Sequence, residues 1–147
     1  MSDYTKYQEE GKRDNFTMMP NLIDDMELSP AAYRVYGHIR RRTGEIGECF
    51  ETSKTIAEYC KLSRGTIARA KKELVRSGLI TITKANKGHG EFASDVITIK
   101  DIWELNEIWF SHISKETRKD VVLEHKEYGR IALNNTVASG SFPEPKP

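Results

Sequence analysis

Arg64, Gly65, Ala68, Arg69 and Lys72 fall on one side of a helical wheel drawn over residues 64–77. Ile67, Ala70 and Leu74 recur at i, i+3 and i+7 on the other side, the spacing of a helix with one buried stripe. Two arginines, a lysine and two residues with almost no side chain make a slim cationic face. Guanidinium groups bind guanine edges bidentately, and small residues allow close approach, so such a face suits insertion into a DNA major groove. Arg64, Thr66 and Arg69 are expected at base edges or adjacent phosphates. Lys54, Lys71, Lys72 and Arg76 are expected on phosphates, which position a protein without reading sequence.

The elements that must hold this face are written on either side of it. Thr52 or Ser53 can cap a helix to Cys60 whose inner face is Ile56, Ala57 and Tyr59 or Cys60. Lys61-Leu62 make a tight turn, with Leu62 as the apolar plug beneath it. Ser63 caps the second helix through the backbone N–H of Gly65 or Thr66, and Gly78 stands where a C′ glycine belongs. Leu79–Lys84 and Val96–Ile99 alternate as strands, with Asn86, Gly88 and Gly90 between them as turn residues. That is a hairpin with a long tip, on which Lys84, Lys87 and His89 would reach the neighbouring minor groove or backbone.

Upstream, Ser29-Pro30 is a helix start with Ser as N-cap and Pro at N1. Ala32, Val35, Tyr36 and Ile39 follow as the inner stripe, and Arg40-Arg41-Arg42 sit at the C-terminal end, where cations complement the helix dipole. Cys49-Phe50-Glu51 reads as a short strand of the same sheet, and Phe16–Met19 as a leading strand stopped by Pro20. Pro20 to Asp25 reads as one helical turn. Downstream, Asp101 can cap a helix to Ser114 with Ile102, Leu105, Trp109 and His112 or Ile113 at helical spacing. Its two tryptophans either close the open side of a small core or meet a second copy of the chain, a homodimer through Trp103, Trp109 and Ile113. The chain thus divides into a disordered arm at 1–15, a domain at 16–114, a further helix at 115–133 and a disordered tail at 134–147.

Ser63-Arg64-Gly65-Thr66-Ile67, then Ala70, Leu74 and Gly78-Leu79-Ile80, resembles the winged helix-turn-helix pattern S-x-x-T-[VI]…L-x-x-x-G-L-I. The run from Phe16 through Leu28-Ser-Pro-Ala-Ala-Tyr33 to Ile80 is similar to small helix-turn-helix proteins of phages and mobile elements. It resembles the N-terminal domain of phage and plasmid replication initiators and of the primosomal DnaD family. The resemblance implies an α+β winged helix-turn-helix, with a three-helix core, a small antiparallel sheet and wing, and an added C-terminal helix. It implies a double-stranded DNA-binding protein of the replication-initiation type, with replication proteins as partners. A transcriptional repressor uses the same domain, with transcription proteins as partners, and a winged helix that binds protein is a third reading.

The totals agree with that expectation once they are resolved along the chain. Over 147 residues the formal net charge is only +1. Residues 52–87 nevertheless hold nine Lys/Arg against two Asp/Glu, while residues 1–28 hold three against seven. Local field steers association with DNA, so the basic centre outweighs the neutral total. Two cysteines, Cys49 and Cys60, make no disulfide framework, and neither a long apolar run nor a signal-peptide pattern is present. The expectation is a cytoplasmic, nucleoid-associated chain with free buried thiols and no membrane partner. His38, His89, His112 and His125 share no ligand spacing with the cysteines or carboxylates, so no metal or cofactor is expected. Gly88-His89-Gly90 does not lead a strand into a helix, and no nucleophile elbow or Walker loop occurs, so no enzymatic role is expected.

Overall fold

The computed structural model describes residues 11–44, 47–84, 95–128 and 132–142. Among these residues, seven helices and three strands run in the order α1 (Leu22–Asp25), α2 (Pro30–Thr43), β1 (Glu48–Cys49), α3 (Ser53–Cys60), α4 (Arg64–Arg76), β2 (Ile80–Thr83), β3 (Val96–Ile99), α5 (Trp103–Ser111), α6 (Lys115–Tyr128) and α7 (Ala132–Ser139). The strands form one antiparallel sheet in the order β1-β3-β2, with Cys49 opposite Ile97 and Ile82 opposite Ile97. Helices α2, α3 and α4 with the β2–β3 hairpin make the α+β winged-helix arrangement. The hairpin tip at 85–94, with Lys87 and His89, lies outside the described residues.

Local chemistry sets the helix starts. Ser29 Oγ accepts from Ala32 N, Thr52 Oγ1 from Thr55 N and Ser63 Oγ from Thr66 N, at 3.1, 3.2 and 3.1 Å. Each satisfies one of the four backbone donors that a helix N-terminus leaves unpaired. Helix α4 ends in a Schellman motif. Leu79 N returns to Leu74 O and Gly78 N to Val75 O, with Gly78 at φ +77°. Helix α3 ends instead on Lys61 at φ +55°, the left-handed position filled without a glycine.

One core joins these elements. Val35, Tyr36 and Ile39 of α2, Ile56 of α3, Ile67 and Leu74 of α4, and Leu79, Ile80 and Ile97 of the sheet region are all buried. Trp109 closes the open side. It has no exposed surface, donates from Nε1 to Asp25 Oδ2 at 2.7 Å and stacks on Phe142. Asn106 Oδ1 accepts from Leu22 N at 2.9 Å, so α5 is tied to α1 at a second point. Arg118 donates to the carbonyls of Trp109, Phe110 and Ile113, which neutralises the C-terminal end of α5.

Three expectations are corrected. Phe16–Met19 forms no strand. Phe16 and Met18 are exposed, and the Met18 carbonyl accepts from Arg40 Nε at 2.7 Å rather than from a sheet neighbour. The segment from 134 does not begin a disordered tail. Residues 132–139 are α7, with Leu133 and Val137 buried, and the rest of the expected tail from 143 lies outside the described residues. The expected dimer contact is mostly interior, since Trp109 is core and Ile113 is half-buried against it, and of the three named residues only Trp103 is exposed.

Helix α7 meets α4 where α4 ends. A Cβ added at Gly78 would lie 2.5 Å from the Ala138 Cα, and Asn134 Nδ2 reaches Ser77 Oγ and the Glu27 carbonyl at 3.4 Å. Gly78 is therefore required twice, for its left-handed φ and for backbone approach. Gly140 shares the φ of +77° but has open space around it. Gly140→Ala should cost about 1–2 kcal/mol, the left-handed strain alone. Gly78→Ala should cost clearly more and lower hydrogen-exchange protection across α7 specifically. Thermal unfolding and exchange of the two variants, side by side, check this.

Candidate nucleic-acid interface

Helix α4 divides by burial as its period requires. Ile67, Ala70 and Leu74 are buried, while Arg64, Gly65, Ala68, Arg69, Lys72 and Arg76 are exposed on the far side. Thr66 is half-buried at the edge. The α3–α4 turn brings Thr52, Ser53 and Lys54 into the same unit, and Lys54 is exposed. Lys84 is exposed at the end of β2, where the hairpin leaves the described residues.

The start of α4 carries a continuous polar row. Ser63 Oγ lies 2.9 Å from Thr66 Oγ1, and Arg69 Nη2 donates to that same Thr66 oxygen at 3.2 Å. Gly65 leaves the guanidinium uncovered, since a Cβ there would stand 3.5 Å from Arg69 Nη1. Beside the row, Ser29, Ala31, Thr66, Arg69, Ala70 and Glu73 line an open groove of about 310 Å³ between α2 and α4. This surface offers cationic and hydroxyl donors on a convex helix, the arrangement that matches an anionic backbone and the acceptor edges of bases.

Lys71 is the exception among the expected contacts. Its side chain is buried at 7% exposure and Nζ donates to Ser53 Oγ at 2.6 Å. Burial pushes its pKa below the usual lysine value, with Asp95 and Cys49 opposing that shift. The sequence carried the signal, because position 71 is four after Ile67 and three before Leu74, on the flank of the buried stripe. Lys71 therefore fastens the start of α3 to α4 instead of lying open to phosphate.

The clasp between Ser29 and Glu73 could not be read from spacing. A capping box places Glu or Gln at the third helical position, but that position in α2 is Ala32. Glu73 supplies the missing acid from another helix. Its Oε2 accepts from Ser29 N at 3.1 Å and Ser29 Oγ at 2.7 Å.

Two arginines of the triplet, Arg40 and Arg42, serve the structure, and Arg41 is exposed. Arg42 pairs with Glu51 at 2.7 Å and lies 4.6 Å over the Tyr59 ring. Arg40 lies 5.4 Å over Trp103. Buried His38 contacts the second Glu51 oxygen at 2.7 Å, so this histidine is occupied in the α2–α3 seam. Cys49 and Cys60 are free, and burial raises both thiol pKa values, which disfavours the reactive thiolate.

Because the folded-state pKa of Lys71 is depressed, the unfolded chain holds its proton to higher pH than the folded one. Stability must then rise with pH from the depressed pKa up to the usual lysine range. Lys71→Met should remove that rise, leaving a flatter stability curve between neutral pH and about pH 10. Urea titrations of the two chains across that window measure it.

No helix among the described residues is long and apolar enough to cross a membrane. No curated protein and no solved structure matches the chain. Residues 26–80, from the end of α1 through the first residue of β2, match a family model described as a helix-turn-helix domain. The match spans Ser29, the α3–α4 turn and the whole cationic face of α4; the chain carries a helix-turn-helix domain of winged form.

Proposed function

We propose that the protein binds double-stranded DNA sequence-specifically, with α4 in the major groove. The observation that carries this reading is the outward face of α4, where Arg64, Arg69, Lys72 and Arg76 are exposed around Gly65 and Ala68. No carboxylate pairs with these four cations among the described residues. Arg64, Thr66 and Arg69 address base edges or the adjacent phosphates. Lys54, Lys72 and Arg76 address phosphates, together with the Thr52–Ser53 start of α3. Lys84 directs the wing towards the neighbouring backbone.

The role we assign is replication initiation on a phage or mobile element, which the sequence resemblance implies. Fold alone does not separate that role from transcriptional control, so the target must. Selection of bound duplexes from a random pool gives the sequence and its symmetry. Repeated origin-like sites support replication initiation, whereas a single operator at a promoter replaces it with a repressor. Failure to retain any duplex overturns the DNA reading.

Two substitutions separate base reading from phosphate contact. Arg69→Ala should cost about 1–3 kcal/mol on the selected site and relax discrimination at one position. Lys72→Ala should weaken all duplexes similarly and lower the log–log salt slope by about one. Binding titrations at several salt concentrations check both.

A further inference from the structure

Arg69 and Glu73 are four residues apart on α4, the spacing at which a guanidinium and a carboxylate ordinarily pair on a helix face. They do not pair here, since the ion pairs among the described residues are His38–Glu51 and Arg42–Glu51. Glu73 is turned to the start of α2, where the Ser29 N–H and O–H both donate to it. Two unpaired donors at a helix N-terminus, one of them in the field of the helix dipole, hold that carboxylate more firmly than one exposed arginine could.

The consequence lies in the row Ser63–Thr66–Arg69. A guanidinium can only donate, so Thr66 Oγ1 must accept from Arg69. Ser63 Oγ already accepts from Thr66 N. One hydroxyl hydrogen is consumed between Ser63 and Thr66, whichever of them donates, and the other is not used within the row, which also carries the remaining guanidinium N–H groups. An acceptor-only group is the complement of that row: the O6/N7 edge of guanine, or a phosphate oxygen. A carboxylate swung onto Arg69 would occupy the same donors and repel either ligand.

We propose that Ser29 is a positioning residue for the α4 face: by holding Glu73 at the start of α2, it keeps Arg69 open to an acceptor on duplex DNA. The proposal rests on the DNA-binding reading. It makes Ser29 a determinant of binding although its own side chain faces another helix.

The test is a double-mutant cycle on the full chain, read by binding to the selected duplex and to random duplex, with thermal unfolding alongside. Ser29→Ala removes the 2.7 Å hydroxyl contact and leaves Glu73 on the backbone N–H alone, so the carboxylate can swing towards Arg69 and binding should weaken by up to about tenfold, the scale of one lost guanidinium contact. Adding Glu73→Gln removes the competing charge and should restore binding to within about twofold of the wild type, although the cap stays lost. A deficit confined to the selected duplex, and abolished when its guanines are replaced by 7-deazaguanine, assigns the acceptor to a base. A deficit equal on random duplex, with a lower salt slope, assigns it to phosphate. Both support the proposal. A double variant as weak as Ser29→Ala overturns it and reduces Ser29 to a helix cap, as does Ser29→Ala binding like the wild type. A wild-type chain that binds no duplex overturns the DNA reading along with it, and is told apart by that control alone.

Discussion

The packing of α4 on α2 is the constraint from which the rest follows. Helix α4 has one stripe that must leave water and one face that must stay in it. Burying Ile67 and Leu74 against Val35, Tyr36 and Ile39 contributes about 1.5–3 kcal/mol per large side chain, whereas an exposed ion pair contributes about 0–1 kcal/mol. Orientation is therefore set by the apolar stripe, and the charged face goes where the stripe leaves it. That same packing brings the first residue before α2 against the last turn of α4, which is why Ser29 and Glu73 can meet across 44 positions of sequence.

The distribution of cations has a simple logic. Outside α4, arginines act as cross-links. Arg42 bridges Glu51 and Tyr59, Arg40 spans Met18 and Trp103, and Arg118 gathers the last carbonyls of α5. A guanidinium suits this because it stacks and forks at once. On α4 itself the exposed cations Arg64, Arg69, Lys72 and Arg76 pair with no acid among the described residues. A nearly neutral chain can thus present a strongly positive surface, because its acids neutralise it elsewhere.

What was legible in the sequence was local. The caps at Ser29 and Ser63, the C′ glycine at Gly78 and the stripe of α4 each depend on residues within one or two turns, and the structure places them as read, while of the two caps open for α3 it selects Thr52. The sheet partner at Cys49 was legible from its place between two helices. What was not legible was decided by distant partners. Residues 133–138 offer only Leu133 and Val137 as large apolar groups, too few to mark a packed helix, and the site they dock on is a glycine with no side chain to advertise it. Phe16–Met19 has strand composition, but nothing in its own sequence says that the sheet will be complete without it. In the interface, the exposed cations followed from helical period, while the burial of Lys71 and the capture of Glu73 depended on where α3 and α2 arrive.

The contact between Gly78 and Ala138 also orders the building of the molecule. The helix-turn-helix and its hairpin are complete in sequence by residue 99, and their contacts are available to a chain synthesised from its N-terminus at that point. The surface over Ser77 and Gly78 is covered only by residues about sixty positions later. A nascent chain must therefore carry an assembled but unsealed domain while the segment through α5 and α6 emerges. Until α7 docks, Ser77 and Gly78 at the end of α4 stay uncovered, as does the side of the core that Trp109 closes.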